Sequence, residues 1–289
     1  MTDTPGAEVV RPGALTTVQD LGRHGHAHLG VPRSGALDAP ALRLANRLVG
    51  NPGGAAALET TADGTALRAR SAVTAAVTGA PCPVLVDGRP APWGAPVRLR
   101  PGAVLDVGRA VRGLRCYVAL AGGVAVEPVL GSRSADLLSG LGPAPLAEGD
   151  VLPLGAAVGP VGAVDTAALP GPPAELVLPL VPGPRQDWFA PDAPRELGRA
   201  GYTVSPASNR IGLRTEGPAL RRVREGELPS EGMVLGAVQV PPDGRPVVFL
   251  ADHPVTGGYP VIGVVPERHL WAAAQAVPGT PLRFVPARA

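Results

Sequence analysis

Polar and charged side chains lie close together near the N-terminus, in a stretch that glycines interrupt. Between positions 15 and 38 the sequence places Gln19, Asp20, Arg23, Ser34 and Asp38. Buried polar groups must each find a hydrogen-bond partner, so a plain core strand has no need of such a set. The spacing therefore predicts a binding or catalytic site, in which the Arg23 guanidinium can hold a carboxylate or a phosphate through a two-point contact.

A second group of candidates lies in the other half of the chain. Arg210 belongs to a polar, glycine-containing segment, 208–214, and can form the same two-point contact with an anion. Glu231 and Asp252 are candidates for general bases or for groups that orient one. Isolated acids and arginines are usually surface residues, but these lie in or near glycine-containing segments, which favours a functional interpretation.

The run Thr256-Gly257-Gly258-Tyr259 follows a predicted strand. Consecutive glycines let backbone N–H groups approach an anion, and the flanking Thr256 and Tyr259 hydroxyls can add further contacts. A tight turn after the strand explains the run equally well. Both interpretations stay open at the level of the sequence.

Histidines and cysteines offer two further kinds of site. His24, His26 and His28 would share one face of a strand, but flanking glycines make a regular strand doubtful and no carboxylate or cysteine stands at ligand spacing, so we predict no metal site. Cys82 and Cys116 alone predict neither a disulfide framework nor a zinc cluster. The sequence has no G-x-S-x-G elbow, so covalent serine catalysis is not indicated.

The elements that position these residues are predicted to be mainly strands. With 39 glycines and 36 prolines, the chain suits short strands and turns in a barrel or sandwich better than long helices. One helix is predicted near 38–50, with Asp38 as its N-cap, Pro40 in its first turn and Gly50 at its end. A poorly patterned stretch, 155–173, predicts a boundary between domains 1–165 and 166–289.

The predicted strands alternate with glycine- and proline-rich turns along both halves. Two short helical segments are also expected near 186–189 and 269–275. The predicted strands cover 56–60, 73–78, 84–86, 104–107, 115–121, 175–181, 238–240, 247–250 and 282–285.

Composition excludes several classes of protein. All 26 basic residues are arginine, so the chain carries neither the lysine of a Walker phosphate loop nor one for a Schiff base or for covalent biotin. The net charge is +2 and the arginines are dispersed, which does not indicate a nucleic-acid partner. No signal peptide is apparent and the apolar runs are shorter than the ~20 residues of a membrane helix. We therefore expect a cytoplasmic protein without nucleic-acid or membrane partners.

Read together, these segments resemble a known family over about residues 11–285. The chain is similar to the C subunit of bacterial 5-oxoprolinase, also called allophanate hydrolase subunit 2, in the biotin-dependent carboxyltransferase-like family that includes the Kip proteins of bacilli. The resemblance rests on ordered matches at Leu15-Thr16-Thr17-Val18-Gln19-Asp20-Leu21-Gly22-Arg23, Gly30-Val31-Pro32, Ser34-Gly35-Ala36 with Asp38, Leu44-Ala45-Asn46, Gly50-Asn51, Leu58-Glu59-Thr60, Gly131-Ser132-Arg133-Ser134, Ser208-Asn209-Arg210 with Gly212 and Arg214, Ser230-Glu231-Gly232, Gln239 with Pro241 and Gly244, and Thr256-Gly257-Gly258-Tyr259-Pro260.

The resemblance implies two cyclophilin-like β-barrel domains with a few short helices. It also implies a partner like the B subunit of 5-oxoprolinase, a third large subunit and the ATP-driven opening of the 5-oxoproline lactam to L-glutamate. The lactam is a stable amide, so its oxygen would be activated by phosphorylation before water attacks. Because the chain has no phosphate loop, ATP would be bound by a partner or in a mode that the sequence does not reveal. A substrate carboxylate, a developing oxyanion and a water molecule would each need a protein group.

The matching positions are candidate site residues of this reaction. As hypotheses, Arg23 or Arg210 holds the substrate carboxylate, the 256–259 run supplies donors, and a carboxylate acts on water. The candidate catalytic residues are Asp20, Glu231 and Asp252. The candidate substrate-binding residues are Gln19, Arg23, Ser34, Asp38, Asn209, Arg210, Gln239, Thr256, Gly257, Gly258 and Tyr259. We expect the N-terminal set to face residues 208–214 and 252–259 across a pocket between two barrels.

Two alternatives remain open. In the first, the chain is the carboxyltransferase component of a biotin-dependent urea or amide carboxylase, which would need a separate biotin carrier protein. In the second, it is a non-catalytic regulatory partner of a Kip-type kinase inhibitor.

Overall fold

A computed structural model describes residues 5–161, 171–224, 226 and 228–287 of the chain. The fold is mainly β, with short helices α1 (Ala39–Leu48), α2 (Ala193–Arg199) and α3 (Glu267–Ala274) and 3₁₀ helices at Ala27–Leu29 and Gln186–Trp188. The strands are β1 (Gly6–Arg11), β2 (Leu15–Gln19), β3 (Ala57–Thr61), β4 (Thr65–Ala69), β5 (Val73–Gly79), β6 (Val84–Val86), β7 (Arg89–Ala91), β8 (Pro96–Leu99), β9 (Val104–Val107), β10 (Arg115–Leu120), β11 (Val151–Pro153), β12 (Leu176–Pro182), β13 (Tyr202–Val204), β14 (Gly212–Glu216), β15 (Glu231–Gly232), β16 (Ala237–Gln239), β17 (Val247–Phe249), β18 (Thr256–Gly257), β19 (Val261–Val264) and β20 (Pro281–Pro286).

The described chain divides into two compact units. The first comprises the described parts of Met1–Arg23, Ser34–Asp136 and Gly140–Pro172; the second comprises those of His24–Arg33, Leu137–Ser139 and Pro173–Ala289. The boundary predicted at 165/166 lies outside the described residues. In the structure two short segments, 24–33 and 137–139, group with the second unit although they precede that boundary.

The first unit is built from two antiparallel sheets. The six-stranded sheet has the order β11-β1-β4-β9-β6-β7 and the five-stranded sheet the order β2-β3-β10-β5-β8. Val118 and Leu120 of β10 belong to the main core of the unit, which draws residues from both sheets, whereas Tyr117 and Ala119 belong to a second core beneath α1. This alternation follows from the two-residue side-chain period of a strand, so β10 is buried on both faces.

Helix α1 has the capping that the sequence predicts. The Asp38 side chain accepts a hydrogen bond from the Ala41 N–H at 3.1 Å, a proline stands in the first turn, and Gly50 adopts a φ of +77° just beyond the end. Glycine reaches that left-handed conformation without the strain of a Cβ atom. The helix predicted near 38–50 is confirmed.

The second unit contains a closed barrel of seven strands in the order β12-β19-β16-β17-β14-β13-β20. Closure is made by the first and last of these strands, β12 and β20, which pair in parallel from Leu176 opposite Leu282 to Leu180 opposite Pro286. A separate two-stranded ladder pairs β15 with β18 and places Glu231 opposite Gly257. The mainly β fold with few short helices and a β-barrel is confirmed; the strands of the first unit form two sheets instead of one closed barrel.

The N-terminal polar stretch is partly a core strand. β2 ends at Gln19, which is 0% exposed, and the following residues form turns. The segment with three histidines contains the 3₁₀ helix Ala27–Leu29 instead of a strand, so these side chains do not share a strand face. No helix among the described residues combines the length and the apolar character needed to cross a membrane.

Candidate functional site

A pocket of about 340 Å³ lies against the barrel of the second unit. Three neighbouring strands, β16, β17 and β14, supply most of its wall, and the loop before β14, the connection between β16 and β17 and the residues before β19 supply the rest. This volume is in the range of small-molecule sites. It is lined by Asn209, Ile211, Gly212, Arg214, Gln239, Pro241, Val247, Phe249 and Tyr259.

The strand register explains why these residues meet. Arg214 of β14 and Gln239 of β16 are both Cα partners of Val247 on β17, so the three form one row across the sheet. Residues directly opposite one another project from the same face. Their neighbours in sequence, such as Leu213 and Val248, are 2% and 0% exposed and project from the other face. The pocket therefore lies on the outer face of the barrel.

Two amide side chains of the pocket have fixed orientations. The Asn209 Oδ1 atom accepts hydrogen bonds from the Ile211 N–H at 2.8 Å and the Gly212 N–H at 3.2 Å, which leaves the Asn209 amino group as a donor. The Gln239 Nε2 atom donates to the Tyr259 carbonyl oxygen at 3.2 Å, which leaves Gln239 Oε1 as an acceptor. The pocket thus offers an amide donor and an amide acceptor, together with the Tyr259 hydroxyl.

The 256–259 run approaches the same pocket. A Cβ atom at Gly257 would lie 2.8 Å from Gln239 Nε2, so a glycine allows the backbone to pass this close to the buried amide. Thr256 and Gly257 form β18, Thr256 is exposed, and Tyr259 lines the pocket with 36% of its surface exposed. Of the run, the structure thus brings Tyr259 to the pocket wall; anion binding by its backbone stays a prediction.

A buried ion pair supports the pocket from behind. Arg210 donates through Nε and Nη2 to the two carboxylate oxygens of Asp252, each at 2.9 Å, and the side chains are 1% and 0% exposed. The Asp252 backbone N–H also donates to the Arg210 carbonyl oxygen at 3.1 Å, and the Leu137 N–H approaches the Asp252 carboxylate at 3.4 Å. The pair therefore ties the loop that carries Asn209 to the segment after β17.

His253 packs against Phe249, one of the residues that line the pocket. Its ring stacks on Phe249 with a centroid distance of 5.7 Å and an interplanar angle of 6°. Its Nδ1 lies 2.8 Å from the Pro254 carbonyl oxygen, which can only accept, so Nδ1 carries the proton. Burial lowers the pKa of His253, which favours the neutral ring, although the bond to Pro254 acts in the opposite direction.

Glu231 forms an ion pair with Arg185 at the β15–β18 ladder. Arg185 Nε donates to a Glu231 carboxylate oxygen at 3.1 Å and its Nη2 contacts the other oxygen. The two side chains are 37% and 27% exposed. The carboxylates of Glu231 and Asp252 are thus both engaged by arginines, and their assignment as catalytic residues stays a prediction.

In the first unit, the carboxylate of Asp20 organises a loop. It accepts hydrogen bonds from the Oγ atoms of Ser132 and Ser134, each at 2.6 Å, from the Arg133 N–H at 2.6 Å and from the Gly22 N–H at 2.8 Å. Four donors occupy both carboxylate oxygens, which fixes the loop against the end of β2. The catalytic assignment of Asp20 also stays a prediction.

Gln19 and Arg23 are buried beside this loop with part of their hydrogen-bonding capacity unused. Arg23 Nη2 donates to the Ser134 carbonyl oxygen, and Gln19 Nε2 donates to the Ala135 carbonyl oxygen at 3.0 Å. Gln19 Oε1 and Arg23 Nη1 find no hydrogen-bond partner among the described residues. Ser34 donates to the same Ala135 oxygen at 2.7 Å and adopts a φ of +54°, which is rare outside glycine.

The predicted candidates thus separate by unit. The structure brings Asn209, Gln239 and Tyr259 to one pocket, adds Arg214, which was not among the predicted site residues, and places Arg210 behind that pocket. Gln19, Asp20, Arg23, Ser34 and Asp38 lie in the first unit, where Asp38 caps α1. Sequence reasoning could have found Arg214 from its position two residues after Gly212, since alternate residues of a strand share a face.

Comparison with known proteins gives consistent matches. The chain is 38% identical over 284 residues to the C subunit of 5-oxoprolinase from Escherichia coli (strain K12), which covers 96% of this chain and 90% of that protein. It is 34% identical over 311 residues to urea amidolyase of Lachancea kluyveri, covering 96% of this chain and 17% of that protein. The crystal structure of TTHA0988 in space group P212121 superposes with a TM-score of 0.89 at 41% identity, covering 98% of this chain and 56% of that chain.

These matches extend over nearly the whole chain, although the chain spans only a small part of urea amidolyase and about half of TTHA0988. A family model described as carboxyltransferase domain, subdomain A and B, matches residues 29–286. The chain therefore belongs to the carboxyltransferase domain family, subdomains A and B.

Proposed function

We propose that the chain is the C-type component of an ATP-dependent 5-oxoprolinase and that its barrel pocket binds the lactam. The observation that carries the proposal is the pairing of a fixed amide donor on Asn209 with a fixed amide acceptor on Gln239 in one pocket. A lactam presents one carbonyl oxygen and one N–H group, which these two side chains complement. The similarity to the E. coli protein, over most of both chains, supports the same reaction.

The chain contributes binding, orientation and charge stabilisation in this proposal. The Asn209 amino group donates to the lactam oxygen and orients it toward the phosphoryl group that ATP transfers to it, before water attacks the ring carbon. Gln239 Oε1 accepts from the lactam N–H and fixes the ring, while Val247 and Phe249 exclude water from its apolar side. ATP supplies the activation of the lactam oxygen.

The nucleotide and the remaining catalytic groups are assigned to partner proteins. The chain has no lysine for a phosphate loop or for covalent biotin. Arginines engage the carboxylates of Glu231 and Asp252, and four hydrogen bonds engage that of Asp20. We therefore assign the water-activating base to a partner, either a protein like the B subunit of 5-oxoprolinase or the third, large subunit. A heteromeric enzyme agrees with the name of the E. coli relative, which designates it as one subunit among several.

The test is glutamate formation by the assembled complex. The chain is purified together with its B-type and large partners, and glutamate is measured from 5-oxoproline and ATP. Asn209→Asp and Asn209→Ser both keep an oxygen for the backbone N–H groups but lack the amino donor, so each is expected to lower kcat by about 100-fold. Asp243→Asn, which keeps the turn oxygen that accepts from the Arg245 N–H, is the matched control and should retain activity.

Two results would count against the proposal. A correctly assembled complex that forms no glutamate would reject the reaction itself. Full activity of both Asn209 variants would remove the barrel pocket from the active site, whatever the reaction.

The second candidate function is carboxyl transfer to urea or another amide from a separate biotin carrier. The similarity to urea amidolyase over 96% of this chain favours it. The same pocket would then bind a neutral amide. Carboxylation of urea by the chain, in the presence of a biotin carboxylase and its carboxylated carrier protein, would establish this activity, and glutamate formation would be absent.

A further inference from the structure

We propose that Arg214 binds the substrate carboxylate and thereby makes the barrel pocket selective for anionic amides. This inference rests on the proposed function, because it names the part of the substrate that the pocket recognises. Among the described residues that line the pocket, Arg214 is the charged one. Its guanidinium is the group in the pocket that can form two parallel hydrogen bonds with a carboxylate.

The backbone of Arg214 is held firmly while its side chain is exposed. The Arg214 N–H donates to Ser208 Oγ at 3.0 Å, and the Arg214 carbonyl oxygen accepts from the Ser205 N–H at 2.9 Å. Strand pairing opposite Val247 fixes it further. The guanidinium makes no hydrogen bond or ion pair with any residue that the structure describes, so its donors are available to a ligand.

The other arginines considered for this role are already engaged. Arg210 is buried against Asp252, and Arg185 is paired with Glu231. Arg23 lies in the first unit and donates to backbone carbonyl oxygens. An arginine that is paired with a protein carboxylate would have to break that ion pair to bind a ligand carboxylate, so little binding energy would result. Arg214 forms no such ion pair among the described residues.

The row across the sheet sets the spacing of the recognition groups. Gln239 and Arg214 are separated by β17, so their Cα atoms lie roughly 10 Å apart, two strand spacings. Both side chains project from the same face over Val247. A substituent on a lactam that Gln239 holds therefore lies within reach of the Arg214 side chain.

The chemistry of the ligand follows from these groups. A cyclic amide that carries a carboxylate on the carbon beside its nitrogen satisfies Gln239 and Asn209 with the amide and Arg214 with the carboxylate. 2-Pyrrolidinone, the same ring without the carboxylate, satisfies only the first two residues. Urea likewise has no charge for Arg214, so the inference also distinguishes the two candidate functions.

The experiment compares binding of the two lactams to the assembled complex without ATP, by isothermal titration calorimetry. For the wild type we expect 5-oxoproline to bind about 10-fold to 100-fold more tightly than 2-pyrrolidinone, as a charge-assisted two-point contact provides. Arg214→Gln should remove most of this difference and leave the affinity for 2-pyrrolidinone within about twofold. Arg214→Lys keeps the positive charge but cannot form two parallel hydrogen bonds with a carboxylate. Its preference for 5-oxoproline over 2-pyrrolidinone should therefore lie between those of the wild type and Arg214→Gln.

Arg268→Gln is the matched control, since Arg268 is an exposed arginine on α3 of the same unit and should leave both affinities unchanged. Circular dichroism checks that Arg214→Gln remains folded, as an exposed side chain predicts. Equal affinities of the wild type for the two lactams, or equal weakening of both by Arg214→Gln, would overturn the inference. Glutamate formation is measured separately, so the proposed reaction can stand when this inference fails.

Discussion

Replacement of Arg210 by alanine tests how the buried ion pair supports the barrel. Arg210 and Asp252 are almost fully buried and are joined by two hydrogen bonds of 2.9 Å. Removing one partner leaves the other charge buried without its counter-ion, which lowers the free energy of unfolding by about 3–5 kcal/mol. Because proteins are stable by only ~5–15 kcal/mol, Arg210→Ala is expected to remove a large part of the stability and not only a contact to substrate.

A double substitution separates the loss of the pair from the loss of packing. Arg210→Met combined with Asp252→Leu replaces both charges with apolar side chains of similar length. Such replacements of a buried pair are often neutral or stabilising. The free energy of unfolding of the double variant is therefore expected to lie within about 1 kcal/mol of the wild-type value or above it. The single variant should therefore be less stable than the double variant, although it carries fewer changes.

Urea unfolding, followed by far-UV circular dichroism at fixed pH and salt, measures these differences. The slope with denaturant should stay constant, so that the change in midpoint reports stability alone. A loss of less than about 1 kcal/mol in Arg210→Ala would refute the reasoning, because it would mean that the Asp252 carboxylate is not held in a buried site. Turnover of Arg210→Ala is interpretable only beside this stability measurement.

Three further substitutions give distinct outcomes. Asp20→Ala removes the acceptor of four hydrogen bonds and is expected to lower the free energy of unfolding, measured by urea unfolding, by roughly 2–4 kcal/mol. A loss under about 1 kcal/mol would contradict this prediction. Glu231→Gln breaks a partly exposed pair with Arg185, so its loss should stay under about 1 kcal/mol, and one above about 2 kcal/mol would argue for a buried role. Because burial lowers the pKa of His253, the unfolded chain takes up its proton first, and stability contributed by the neutral ring is lost as the pH falls below 6.5. The difference in free energy of unfolding between wild type and His253→Gln should therefore decrease as the pH is lowered from 7.5 to 5. A constant difference would show that the pKa of His253 is the same in the folded and the unfolded chain.

Local signals in the sequence were sufficient for several elements. Helix α1 was predictable because Asp38 caps it, apolar residues recur along one face, and Gly50 ends it. Strands β5 and β10 were predictable from their β-branched and apolar runs. Strand β4, with the sequence Thr-Ala-Leu-Arg-Ala, was missed because its residues favour a helix locally and become a strand through pairing with β1 and β9.

Long-range pairing explains what the sequence left open at the site. The partners of Asp252 and Glu231 lie 42 and 46 residues away, and no local pattern connects them. Polar character alone indicated that these acids matter, but it did not distinguish an ion pair from a base. The two-residue period of a strand relates Arg214 to Gly212, but its place in the same row as Gln239 depends on both residues pairing with Val247.

The parallel seam between β12 and β20 constrains when the second unit can fold. Both neighbours of β12 in the barrel, β19 and β20, are the last two strands of the unit. At roughly 5–20 residues per second, the ~100 residues between β12 and β20 take about 5–20 s to synthesise. During that time β12 lacks its full set of barrel partners, and its backbone groups remain open to a wrong one. The first strand of the barrel is thus synthesised long before the two strands that pair with its edges.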